Sequence, residues 1–140
     1  FLEDRGARIL RMMSVEETLQ VRWIVFRTIA SNMEAPLEFT GSVQCDQLET
    51  FYWDFLPRSY PRSEWRELQK LCESESLLIV MFEACRIPAL LVETASLDVS
   101  LLEGEDLYIL PMDSRWILVI THEAEHGPYV LDSPGAMLTD

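Results

Sequence analysis

Apolar residues in this chain follow two patterns, one spaced as in a helix and one nearly continuous. From Ser14 to Met33, the residues Val15, Leu19, Trp23, Phe26, Ala30 and Met33 recur every three or four positions, and Val25 and Ile29 widen the stripe. That spacing predicts an amphipathic helix packed along one side. Ser14-Val15-Glu16-Glu17 has the S-x-x-E form of a capping box, which marks where the helix starts. Arg22 and Arg27 interrupt the apolar run, which excludes a membrane span and puts their charges at the edge of the packed face. Pro36 ends the segment. Trp65, Leu68, Leu71 and Cys72 predict a second, short helix with Ser63 as its N-cap.

The continuous pattern reads as strands. Leu77 to Phe82 is an unbroken apolar run suited to a buried strand, and Ala89 to Glu93 can form another. Leu97 to Leu102 fits either a helical turn or a loop. After Gly104, Leu107 to Leu110 and Trp116 to Thr121 predict a hairpin around Pro111-Met112-Asp113-Ser114, and Tyr129 to Leu131 completes a meander beyond the Gly127-Pro128 turn. Leu37 to Thr40 and Phe51 to Phe55 read as weaker strands before Gly41 and Pro57.

This order predicts an α+β domain, an antiparallel or mixed sheet with two main helices packed on one face. Phe1 is not an encoded start, whereas Met13 stands directly before the capping box. Residues 1–12 are therefore expected to be an N-terminal extension, left from cloning or from a longer chain, and 13–140 a single domain with structure beginning at Ser14. No internal repeat or linker divides it.

Composition adds a compartment and an asymmetry. Cys45, Cys72 and Cys85 are odd in number and form no CxxC pair, so reduced thiols and a cytoplasmic location are expected. The net charge of −13 is uneven: residues 1–70 carry nine basic and eleven acidic residues, while residues 71–140 carry two and thirteen. The strand-rich half is the acidic half. So few cations argue against nucleic-acid binding, which depends on neutralising phosphates.

One string suggests metal chemistry. His122-Glu123-Ala124-Glu125-His126 matches H-E-x-x-H, the zincin metalloprotease motif, and these are the two histidines of the chain. That motif works on a helix, where both histidines share a face, reach Zn²⁺ and leave the Glu to activate metal-bound water. Here a predicted strand precedes it, Gly127-Pro128 follows at once, and Glu125 lies where the family prefers an uncharged residue. The expected structure is a polar turn. A weaker reading keeps His122 and His126 as Zn²⁺ or Ni²⁺ ligands without catalysis. No cofactor is expected, because a P-loop, a dinucleotide fingerprint and a nucleophile elbow are all missing.

Two further features suggest contact with a partner. Phe51, Tyr52, Trp53, Phe55, Tyr60 and Trp65 gather six of the fourteen aromatic residues into a short stretch. Most suit a core, but Tyr52, Tyr60 and Trp65 are candidates to anchor a partner. Glu103, Glu105, Asp106, Glu123 and Glu125 lie in predicted turns, where they would either solvate the surface or attract a basic protein.

The residues Asp106 to Pro111, Ser114 to Glu123 and Gly127 to Tyr129 together resemble a stretch of small uncharacterised bacterial proteins, some of toxin-immunity type. That resemblance covers about the last quarter of the chain and implies no catalytic residues. The expected function is a non-enzymatic, immunity- or inhibitor-like acidic binding protein that engages a basic partner. The alternative is a small-molecule or metal-dependent enzyme using the His122–His126 turn. A homo-oligomer through a sheet edge or the aromatic loop stays open.

Overall fold

Three apolar runs form the centre of the protein, whose computed structural model describes residues 8–31, 56, 60–83, 87–94, 97–123 and 125–132. They are the strands β2 (Leu77–Phe82), β4 (Leu107–Pro111) and β5 (Trp116–Ile120). With β1 (Arg8–Met12), β3 (Leu90–Glu93) and β6 (Tyr129–Asp132) they build a six-stranded sheet of order β1-β3-β2-β4-β5-β6, antiparallel at every pairing. The fold is α+β, as the order of elements predicts, and the β4-β5-β6 meander takes the expected form.

Side chains alternate strictly between the two faces of this sheet. Ile79 and Met81 of β2, Tyr108 and Leu110 of β4, Ile117 and Val119 of β5, and Tyr129 and Leu131 of β6 point to one face. There they meet Val21, Ile24, Val25 and Ile29 of helix α1 (Val15–Ser31). Leu78, Val80, Leu107, Ile109, Trp116, Leu118 and Ile120 point the other way, onto Leu68 and Cys72 of helix α2 (Trp65–Glu73) and Val99 and Leu102 of a 3₁₀ helix (Val99–Leu102). The helices therefore cover opposite faces, not the single face expected. The physical reason is that β4 and β5 are apolar at every position, so each needs cover on both sides.

Helix α1 begins as its capping box requires: Ser14 N–H donates to Glu17 Oε1 at 2.9 Å and Glu17 N–H to Ser14 Oγ at 3.1 Å. Its buried face is rotated from the expected stripe. Thr18, Val21, Arg22, Val25, Thr28 and Ile29 turn inward, while Val15 is 77% exposed. Thr18 Oγ1 accepts from Ala89 N–H at 3.1 Å, which seats the helix over the entry to β3.

Arg22 is fully buried rather than at the edge, and its Nη2 donates to the carbonyls of Phe82 (2.6 Å) and Glu83 (2.9 Å). Those carbonyls lie where β2 runs out of ladder. The guanidinium satisfies acceptors that would otherwise be stranded away from water.

Order also begins earlier than expected, because Arg8–Met12 pairs antiparallel with β3, with a bulge between Ile9 and Arg11. The two arginines, Arg8 and Arg11, suit such an edge strand. Helix α2 is capped at Glu64 without a side-chain hydrogen bond, and Ser63 instead donates its N–H to Pro128 O at 2.9 Å. The weaker strands expected at Leu37–Thr40 and Phe51–Phe55 lie outside the described residues.

Two predictions follow from α1. Arg22→Met leaves the Phe82 and Glu83 carbonyls without their donor and should cost about 2–4 kcal/mol, read as a lower urea midpoint at unchanged m-value. Glu17 is held at a pKa of about 2, first by its hydrogen bond with Arg11 and then by the Ser14 amide. A depressed folded-state pKa contributes stability above the ordinary carboxylate value and loses it as pH falls toward 2. Between about pH 4.5 and 2, the stability of Glu17→Gln should therefore fall less steeply than that of the parent in paired pH-dependent unfolding.

Candidate functional site

Register decides which residues meet at the end of the sheet. Leu107 pairs with Ile120, so the residues before β4 and after β5 emerge side by side. Glu83 N–H donates to Asp106 O at 3.2 Å, extending the ladder one step and fixing Asp106. His122 N–H then donates to Asp106 Oδ1 at 2.9 Å, and His122 Nδ1 lies 2.9 Å from both Asp106 oxygens. Two ring contacts and one from the backbone orient this half-exposed imidazole, and the carboxylate favours the proton on Nδ1.

The turn that follows is built on Thr121 and Gly127. Thr121 Oγ1 reaches the carbonyls of Glu123 (2.9 Å) and His126 and accepts from Glu123 N–H at 3.1 Å. His126 N–H closes the turn onto Glu123 O at 3.0 Å. Gly127 has φ +113°, and a Cβ there would lie 3.3 Å from the Thr121 methyl, so glycine suits both the backbone and the space. The chain then enters β6 through a cis Gly127-Pro128 bond.

His122 and His126 consequently part company. His126 is 1% exposed and packs edge-on against Tyr129, with ring centroids 5.5 Å apart, whereas His122 stands at the surface. Four-residue spacing brings two side chains close together on one face in a helix, and this segment is a turn. Among the described residues, no group of three or more His, Cys, Asp or Glu is arranged to hold a metal ion. His126 is therefore a core residue, not part of an acidic rim.

The expected partner-binding residues are brought together in part. Trp65, Glu103 and Glu123 line one small recess of about 20 Å³ with Arg62, Ile120, Thr121, Gly127 and Pro128. Arg62 Nε donates to Gly127 O at 2.8 Å and holds its wall. Glu125 is exposed and Glu105 half-buried on the neighbouring turns, beside the Asp106–His122 pair. Tyr60 goes elsewhere: half-buried on the α1 face, it packs edge-on against Tyr129 at 5.5 Å. Burial first, and then the charge of Asp132, raise its hydroxyl pKa. Tyr52 lies outside the described residues.

Local motif reading missed Asp106 as the partner of His122, and it missed Arg62. The first was within reach, because a hairpin centred on residues 112–115 sets Asp106 across from Thr121. A larger open depression, about 690 Å³, lies at the opposite end of the sheet among Glu73, Glu75, Ser76, Leu77, Glu93 and Thr94. Arg115 already pairs with Glu75 and Arg8 with Glu93 there, so much of its charge is compensated. Cys72 offers no reactive thiol: burial, aided by Glu73 and Glu75, pushes its pKa up to about 12.

No protein-family model matches the chain, and neither a curated protein nor a solved structure matches it.

These contacts predict different outcomes for the two histidines. Asp106→Ala should shift neutral His122 toward the Nε2–H tautomer, read from long-range ¹H–¹⁵N spectra. His126→Ala should lower stability by about 1–3 kcal/mol through lost packing on Tyr129, with no change in bound zinc by elemental analysis.

Proposed function

We propose that this domain is a non-enzymatic acidic binding protein, of inhibitor or immunity type, that engages a basic protein through the end of the sheet where residues 103–106 and 121–127 meet. One observation carries this reading. Glu103, Glu105 and Glu125 have no ion-pair partner among the described residues, whereas Glu75, Glu93 and Asp113 at the other end are paired with arginines. Uncompensated carboxylates on adjacent turns attract a basic surface over several ångströms and accelerate encounter. Trp65, which lines the same recess as Glu103 and Glu123, supplies an aromatic flank against which a lysine or arginine stem of the partner can settle.

The Asp106–His122 contact favours a second reading, a small-molecule enzyme in which His122 acts as a base. Such a reading needs His122 but not His126. It lacks a nucleophile in the turn, since the Thr121 hydroxyl is engaged with backbone carbonyls.

The test is capture from the native host by the immobilised domain at about 50 mM and about 500 mM salt, followed by titration of the captured protein. The expected partner is basic and is released at high salt. Glu103→Lys/Glu123→Lys should weaken its binding about tenfold or more, and His122→Ala should leave binding nearly unchanged. Failure to recover a basic protein at either salt concentration would sink the binding reading.

A further inference from the structure

We propose that the domain self-associates through β1, two copies pairing their β1 edges antiparallel about a two-fold axis. This inference stands apart from the acidic end of the sheet and does not rest on the partner reading above. β1 is the outermost strand on its side and pairs only with β3. Among the described residues, its outer row of backbone N–H and C=O groups therefore faces no strand. An edge of this kind accepts another strand unless it is covered or well charged.

The side chains around the edge point the same way. The large apolar residues that stay exposed among those described are Leu10, Met12, Val15, Ile87, Leu101 and Met112. Leu10 and Met12 lie on β1 itself, and Val15 and Ile87 lie near its end along the chain or its pairing. Met12 stands opposite Leu90 in the register, and Met13 N–H bonds Ala89 O at 2.8 Å, two residues from Ile87. Val15 follows directly on the capping serine. Met12 and Val15 are 67% and 77% exposed, so an interface that covers them removes that apolar surface from water.

Charge selects a second copy as the occupant. With a net charge of −13, two copies repel wherever their carboxylates face each other. Along β1 that repulsion is reduced within each copy, because Arg8 pairs with Glu93 at 3.5 Å and Arg11 holds Glu17 through two bonds of 3.0 and 2.9 Å. This leaves Glu16 as the exposed carboxylate beside Val15 without an ion pair among the described residues. A basic partner finds less unpaired negative charge here than on the turns around Glu103, Glu105 and Glu125. An antiparallel edge is also self-complementary, as a two-fold interface requires. The bulge between Ile9 and Arg11 shortens the matched ladder, so the interface belongs to the small, reversible class.

Sedimentation velocity and light scattering of the full chain, from about 1 to 300 μM, test the proposal across the range of a reversible dimer. The parent chain should shift from monomer to dimer, and the shift should strengthen as salt screens the mutual repulsion, opposite to the loosening expected for a basic partner. Met12→Glu/Val15→Glu changes only exposed positions, so folding is expected to persist and is checked by circular dichroism. It should weaken dimerisation at least about tenfold, whereas Leu101→Glu, on the 3₁₀ helix, should not. A chain that stays monomeric throughout, a dimer that added salt dissolves, or a dimer that Met12→Glu/Val15→Glu leaves intact would each overturn the inference.

Discussion

Burial of the central strands on both faces is the constraint on which the rest of this protein depends. β2, β4 and β5 carry apolar side chains to either side, and none of the ten residues of β4 and β5 is left exposed. A strand of that kind is stable only inside three layers. α1 closes one face, and α2 with the 3₁₀ helix closes the other. The chain must therefore pass from one layer to the next, and it does so between Tyr60 on the α1 face and Trp65 on the α2 face. Arg62 and Ser63 fasten that crossing to Gly127 and Pro128. The same closure explains Arg22, since a helix seated on the end of β2 excludes water from carbonyls that then need a donor from the protein.

With both faces of the central strands committed to packing, the polar backbone groups of the sheet left without a strand partner among the described residues lie at its ends and edges. This is why the residues considered above cluster where strands stop. The β4-β5 register sets the turn before β4 against the turn after β5. The outward row of β1, where self-association is proposed, forms one edge of the sheet, and that of β6 forms the other.

Much of the fold was legible because continuous apolar runs and a capping box are local signals. Leu77–Phe82 coincides with β2, the meander falls where the turns predict, and Ser14 and Glu17 cap α1 reciprocally. What escaped depends on tertiary context. The unbroken apolar character of Trp116–Ile120 already implied two covered faces, since a half-solvated strand would alternate, yet both helices were assigned to one side. Arg22 looked like an edge residue because burial of an arginine depends on acceptors sixty positions away. Order is expected only from Ser14 because the partner of Arg8–Met12, β3, lies far along the chain.

The histidine motif shows the same division at the level of a site. Sequence spacing carries chemical meaning only with a backbone to interpret it. On a helix, residues 122 and 126 would share a face; on the turn fixed by Thr121 and Gly127, one enters the core and the other meets Asp106. The register that created this pair also decides where charge remains available. Asp106 is engaged by His122, and Arg62 holds the chain at Gly127. Glu103, Glu105 and Glu125, at the same end of the sheet, have no ion-pair partner among the described residues. The chain's acidity thus becomes directional through pairing, because arginines at the opposite end offset Glu75, Glu93 and Asp113. On the reading proposed above, a basic partner approaches along the strand axis, toward the recess that Trp65 lines with Glu103 and Glu123.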